Sequence, residues 1–242
     1  MEPMKTNRQM KKQDVPANVR KALNKSRSAA EDRVNVTYYT DPLCCWSWAF
    51  EKHWRRFQNE FSDRINVRYV MGGMIPDWNQ YNDPLNSVSR PLQMGPVWMH
   101  ASQVTHTPMD YTLWHEDPPS SSYPGCIAVK CAMLQSAELG ENYLFRLREA
   151  VMTKHLNIAK YDVLKAIAAD MPDNLDIDRF VGDWKAGNGH AAFREDLKLA
   201  GYHKIGRFPT LTFSNASGKG IMIVGYRPYE MLSTAFMQME TV

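Results

Sequence analysis

The chain has 242 residues, 44% apolar and 23% charged, the balance of a globular protein long enough to bury a sizeable core. Its net charge of +3 is too small to argue for nucleic acid, and nothing approaches the roughly 18 consecutive apolar residues a membrane span needs. Four cysteines in a chain of this length make no disulfide scaffold, which points to a cytoplasmic protein with mostly reduced thiols.

Lys and Arg outnumber Asp and Glu by nine to four over residues 1–33. With no apolar core of a leader peptide there, this stretch reads as a basic, partly disordered arm. The first strand is expected at Val34–Thr40, whose β-branched and aromatic residues suit a half-buried pleated surface. Asp41-Pro42 breaks the run, and an amphipathic helix follows from about Trp46 to Phe61. Ile65–Met71 reads as a second strand, closed by Gly72-Gly73. Residues 76–117 are rich in Pro, Asn and Asp, with one helix near Met94–Thr105. Here Trp78, Tyr81, Trp98, Tyr111 and Trp114 suggest a packed irregular segment.

Helical periodicity then dominates. Helices are expected at Pro124–Leu139, stopped by Gly140, and at Asn142–Lys154, with Leu144, Leu147 and Val151 on one face. Shorter ones follow at Tyr161–Ala169, Ile177–Lys185 and Ala191–Ala200, the last ended by Gly201. Strands return at Thr210–Phe213 and Gly220–Val224 around the turn Asn215–Gly218, and Pro228–Met237 makes a final helix. The fold class is therefore α/β. A thioredoxin-like βαβ–ββα core (34–75 and 202–242) carries an inserted helical domain (76–201).

Cys44 falls where the first strand hands over to the first helix. The unpaired N–H groups and positive dipole end there favour the thiolate, the nucleophilic form. A resolving cysteine would stand three residues on, at Ser47. Serine can donate a hydrogen bond to the sulfur but cannot form a second S–S bond, so the expected chemistry is monothiol, with an external thiol releasing the mixed disulfide. Cys45 is a poor substitute, because a bridge between adjacent residues is strained. Trp46 and Trp48 flank the site, one expected beneath the helix and the other shaping substrate access. Pro209 precedes the third strand, where a cis Phe208–Pro209 bond could present backbone to an extended substrate. Cys126 and Cys131 are expected as core residues, Met71, Met74, Met94, Met99 and Met109 as irregular packing, and His100 and His106 as ordinary histidines. No metal site is expected.

Asp41-Pro42-Leu43-Cys44-Cys45-Trp46-Ser47-Trp48 resembles the Asp-Pro-x-Cys-x-Trp-Cys-Trp signature of cytosolic DsbA-like proteins. These include FrnE-like oxidoreductases, kappa-class glutathione transferases and hydroxychromene-carboxylate isomerases. Met71–Met74, Ser120–Pro124 and Gly206–Thr210 are similar to further motifs of the group, most of all in the branch of YjbH-type protease adaptors. The resemblance implies a thioredoxin fold, Cys44 as attacking residue, Pro209 as cis-proline and a helical block capping the site. Cys45, Trp46, Phe208 and Pro209 would then contact substrate. Ser47 departs from the pattern and argues against a dithiol oxidase, while Phe208 is expected to narrow the groove.

Two main readings follow. The first is a monothiol thiol–disulfide oxidoreductase acting on a disulfide-bearing protein or small thiol, with no tightly bound cofactor and with glutathione as candidate co-substrate. The alternative is a non-catalytic adaptor or redox sensor, docking a protein through the helical domain. A glutathione-dependent isomerase or transferase is the third.

Overall fold

The computed structural model describes residues 33–172 and 174–240; the basic arm at 1–32 lies outside the described residues. A mixed four-stranded sheet in the order β2-β1-β3-β4 organises the chain. It is built from β1 (Val34–Thr40), β2 (Ile65–Met71), β3 (Thr210–Ser214) and β4 (Gly220–Val224). β1 runs parallel to β2, with Tyr38 opposite Tyr69, and antiparallel to β3, with Tyr38 opposite Leu211. The parallel pair needs a crossover, which helix α1 (Cys45–Phe61) supplies.

The stripe Phe50, Trp54, Phe57 and Phe61 recurs at helical spacing and is fully buried. It meets Tyr38 and Phe213 on the sheet, the Trp54 and Phe57 rings lying 5.1 and 5.8 Å from those partners. The last helix, α9 (Tyr229–Glu240), shares this face through Phe236, 4.3 Å from the Phe61 ring. Successive strand residues point to opposite faces, so Tyr39 and Val70 turn the other way and pack on Ala200. That residue belongs to helix α8 (Asn188–Tyr202), so a helix that the sequence placed in the insertion covers the second face of the sheet.

Between β2 and β3 lie a single 3₁₀ turn (Pro91–Gln93) and helices α2 (Met94–Thr105), α3 (Leu113–Glu116), α4 (Tyr123–Met133), α5 (Ala137–Thr153), α6 (Tyr161–Ala169) and α7 (Ile177–Lys185), followed by α8. The irregular region is packed as expected. Trp114 makes edge-on contacts with Trp98 at 5.3 Å and Trp78 at 5.9 Å, and Trp78 meets Tyr81 at 5.3 Å. Tyr111 and Met99 are exceptions on the surface, while Met71, Met94 and Met109 are buried.

Several helix boundaries differ from the sequence reading, Leu113–Glu116 is an additional short helix, and two glycines expected as stops lie inside helices. Ser136 accepts a hydrogen bond from the Leu139 N–H and caps α5 there, several residues before the expected start. Gly140 therefore lies inside α5 instead of ending its predecessor; a Cβ there would stand 2.0 Å from Met133 Cγ. Gly201 likewise sits within the last turn of α8. In both places glycine reads as a stop by propensity, but tertiary packing or continued helix overrides it.

Candidate functional site

The turn that delivers Cys44 is tied down by Asp41. Its Oδ1 accepts the Leu43 N–H at 2.9 Å, and its Oδ2 accepts the Met74 N–H at 2.7 Å and the Ser122 hydroxyl at 2.8 Å. Pro42 fixes the chain, and Cys44 becomes the N-cap of α1. Its sulfur accepts the Ser47 N–H at 3.4 Å, the position that a Ser or Asp oxygen usually fills. Phe208–Pro209 is cis, and the Cys44 thiol donates to the Phe208 carbonyl at 3.4 Å. The structure thus brings together Cys44, Ser47, Phe208 and Pro209 across 164 residues of sequence.

The expectation of an ionised sulfur is corrected by its surroundings. Cys44 is only 4% exposed, and burial pushes its thiol above the ordinary value. The Ser47 hydroxyl and N–H pull the other way, Asp41 adds to the rise and Arg148 opposes it. The helix terminus is present, but loss of water outweighs it. Cys45 points into the core and is pushed well up, by burial and then by Cys44.

Ser47 is fully buried and accepts the Thr40 hydroxyl at 3.0 Å. Thr40 in turn accepts from Arg148 Nη2. Arg148 projects from α5, is 1% exposed, and donates Nη1 to Glu51 Oε2 at 2.9 Å. A cation from the helical insertion therefore lies beneath the helix that bears the sulfur.

Above the sulfur opens a cavity of about 760 Å³, lined by Cys44, Cys45, Trp46, Tyr81, Arg207 and Arg227 among others. Met94, Val97 and Trp98 of the insertion close one side, which is how the helical block caps the site. Trp46 lies at the cavity, edge-on to His100 and near Tyr226. Trp48 turns to the insertion, donating Nε1–H to the Pro108 carbonyl at 3.1 Å and lying 5.7 Å from Phe145. Neither tryptophan is the one beneath the helix; that place belongs to Trp54. The Phe208 ring occupies the space a Cβ would need at Gly72, 1.9 Å from its ideal position. It joins the Tyr39–Val70–Ala200 cluster, so the ring is tucked beside the sheet while its carbonyl faces the sulfur. His100 is exposed, and His106 ends α2 in a left-handed conformation. Cys126 and Cys131 are buried as expected, though Cys126 also donates to Asp41 Oδ2 at 3.4 Å.

A family described as thioredoxin matches residues 38–234. The chain belongs to that family. The curated relative named ClpXP adapter protein SpxH, from Halalkalibacterium halodurans, is 29% identical over 200 residues, 82% of this chain and 65% of the relative. SpxH from Shouchella clausii is 27% identical over 206 residues, 84% of this chain and 65% of that protein. The chain thus spans just under two thirds of the length of these relatives. The cytosolic disulfide reductase DsbM from Pseudomonas aeruginosa, solved also with GSH, superposes with a TM-score of 0.66 and 19% identity, over 86% of this chain and 100% of DsbM. That likeness is one of fold.

Sequence reading missed Thr40, Glu51 and Arg148. The signal was present for Arg148, which falls among Leu144, Leu147 and Val151 on the apolar face of its helix, where a charge implies a buried partner. Among the described residues no three His, Cys, Asp or Glu are grouped to hold a metal ion, and no helix is long and apolar enough to cross a membrane.

Proposed function

We propose that the chain is a protein adaptor of the YjbH type, which delivers a bound partner to a ClpXP-like protease and carries Cys44 as a monothiol redox sensor. One observation carries the reading: among the described residues no second cysteine is placed to resolve a disulfide at Cys44. The resolving position is the fully buried Ser47, held by Thr40, Cys45 is buried in the core cluster and adjacent in sequence, Cys126 is engaged by Asp41, and Cys131 is buried within the helical insertion. The curated relatives, both ClpXP adapter proteins by name, support the same reading. The test is capture under reducing conditions. Immobilised wild type and Cys44→Ser should both retain a stoichiometric partner, whose degradation by purified ClpXP should accelerate when either is added. Partner recovery that depends on Cys44, or degradation that does not accelerate, overturns the adaptor reading.

A second reading, monothiol exchange with glutathione, is favoured by the cavity beside the sulfur and the carbonyl at Phe208. In it the Cys44 thiolate attacks one sulfur of oxidised glutathione. A Cys44–glutathione disulfide forms, one glutathione thiolate leaves, and a second thiol later reduces the adduct. Trp46 and Pro209 would border the adduct, with Cys45 behind it. Intact mass after exposure to oxidised glutathione should show one adduct in wild type and none in Cys44→Ser; its absence from wild type refutes this reading.

A further inference from the structure

The buried hydrogen bonds beneath Cys44 form a chain whose direction can be worked out donor by donor. Arginine has donors only, so Arg148 Nη2 must give its proton to Thr40 Oγ1. The single Thr40 hydroxyl proton is then free for Ser47 Oγ, 3.0 Å away. Ser47 accepts that proton, which leaves its own hydroxyl proton free on the side of Cys44, whose sulfur already accepts the Ser47 N–H at 3.4 Å; a hydroxyl donated to that sulfur favours the thiolate. The thiol's proton points onward to the Phe208 carbonyl at 3.4 Å. Every bond runs the same way, from a guanidinium towards the cis-proline loop. Were Arg148 absent, Thr40 and Ser47 could both turn round, and Ser47 could present a lone pair to the sulfur.

The geometry points to Arg148 as a positioning residue, which fixes the direction of the Thr40–Ser47 hydrogen bonds and so couples the helical insertion to the protonation state of Cys44. This deepens the sensor reading of the site and rests on Cys44 being the reactive sulfur. Arg148 is suited to the task because its position is itself over-determined. Glu51 Oε2 holds its other terminal nitrogen at 2.9 Å, and the Tyr38 ring lies 5.8 Å from its guanidinium carbon. Its Nε is buried with no hydrogen-bond partner among the described residues, so the guanidinium is held through its two terminal nitrogens. The other groups facing the sulfur are Asp41 in the preceding turn, Tyr38 of β1, Tyr81 of the insertion and Cys45. Arg207 and Arg227 also line the cavity above the sulfur; among the groups beneath it, Arg148 supplies the positive charge that opposes the rise.

The test is the pH profile of iodoacetamide alkylation at Cys44, followed by intact mass on the full chain. Thr40→Val keeps the shape and deletes the link. Its profile should move alkaline by about one pH unit, a roughly tenfold lower rate at pH 8. Thr40→Ser restores the hydroxyl and should bring the wild-type profile back, a rescue that a purely packing role for Thr40 would not produce. The paired variant Glu51→Leu/Arg148→Met removes both charges together and should shift the profile the same way. Superimposable profiles for wild type and Thr40→Val overturn the proposal while leaving the sensor reading intact. Failure of wild-type Cys44 to react at any pH overturns both.

Discussion

Gly72→Ala puts the geometry of the cis-proline loop to a direct test. An ideal Cβ at Gly72 would lie 1.9, 2.2 and 2.7 Å from three ring atoms of Phe208. Carbon atoms in contact settle near ~3.5–4.0 Å, so the ring would have to withdraw by about 1.6–2 Å. Gly72 is not among the residues with positive φ, and alanine therefore meets no backbone penalty; the cost is steric. Overpacking of this kind destabilises by about 1–3 kcal/mol. With a urea m-value of about 3 kcal/mol/M, the midpoint should fall by roughly 0.3–1 M. The double variant Gly72→Ala/Phe208→Ala distinguishes this cause from any other, because without the ring the methyl has room. It should be no less stable than Phe208→Ala alone, a coupling of about 1–3 kcal/mol in a double-mutant cycle. Simple additivity of the two substitutions would refute the placement of the ring against Gly72.

Arg148→Met should destabilise by less than the about 3–5 kcal/mol of a fully broken buried pair in equilibrium urea unfolding, because Glu51 loses Arg148 at 2.9 Å but keeps the more exposed Arg55 at 2.8 Å, whereas Glu51→Leu/Arg148→Met should recover most of that loss; a double variant no better than Arg148→Met would contradict the pairing. Gly140→Ala should lower the melting temperature, although glycine-to-alanine inside a helix ordinarily stabilises by about 1 kcal/mol. Met133 Cγ at 2.0 Å and its Cα at 3.0 Å leave the methyl no space, and a rise in melting temperature would show that α4 can move away. Alkylation of Cys44 should have its midpoint on the alkaline side of an ordinary cysteine, since burial raises this thiol. The sign for stability follows by linkage. A folded-state thiol that holds its proton longer than the unfolded one makes stability fall as pH rises through the unfolded value. Wild type should therefore lose stability relative to Cys44→Ala above about pH 8.5, and a midpoint near 7 would refute the burial argument.

The local signals in the chain were enough for the strands, the strand–helix junction at Cys44 and the helix through Phe61, because alternation, β-branching and the Phe50–Trp54–Phe57–Phe61 spacing act within one element. They also identified Phe208–Pro209 as the partner of Cys44, through a motif tied to a recognisable fold. Helix boundaries at Gly140 and Gly201 were misread, because neither Met133 packing nor an uninterrupted final turn can be seen in glycine's own propensity. The sequence could set a sulfur at a helix N-terminus, where the dipole favours ionisation. Only the folded chain decided that water is excluded there, and burial is the larger effect. Thr40, Glu51 and Arg148 lie far apart along the chain, so their hydrogen bonds exist only once α5 packs beneath α1. That is where a local motif stops and the behaviour of its sulfur begins to depend on the whole tertiary structure.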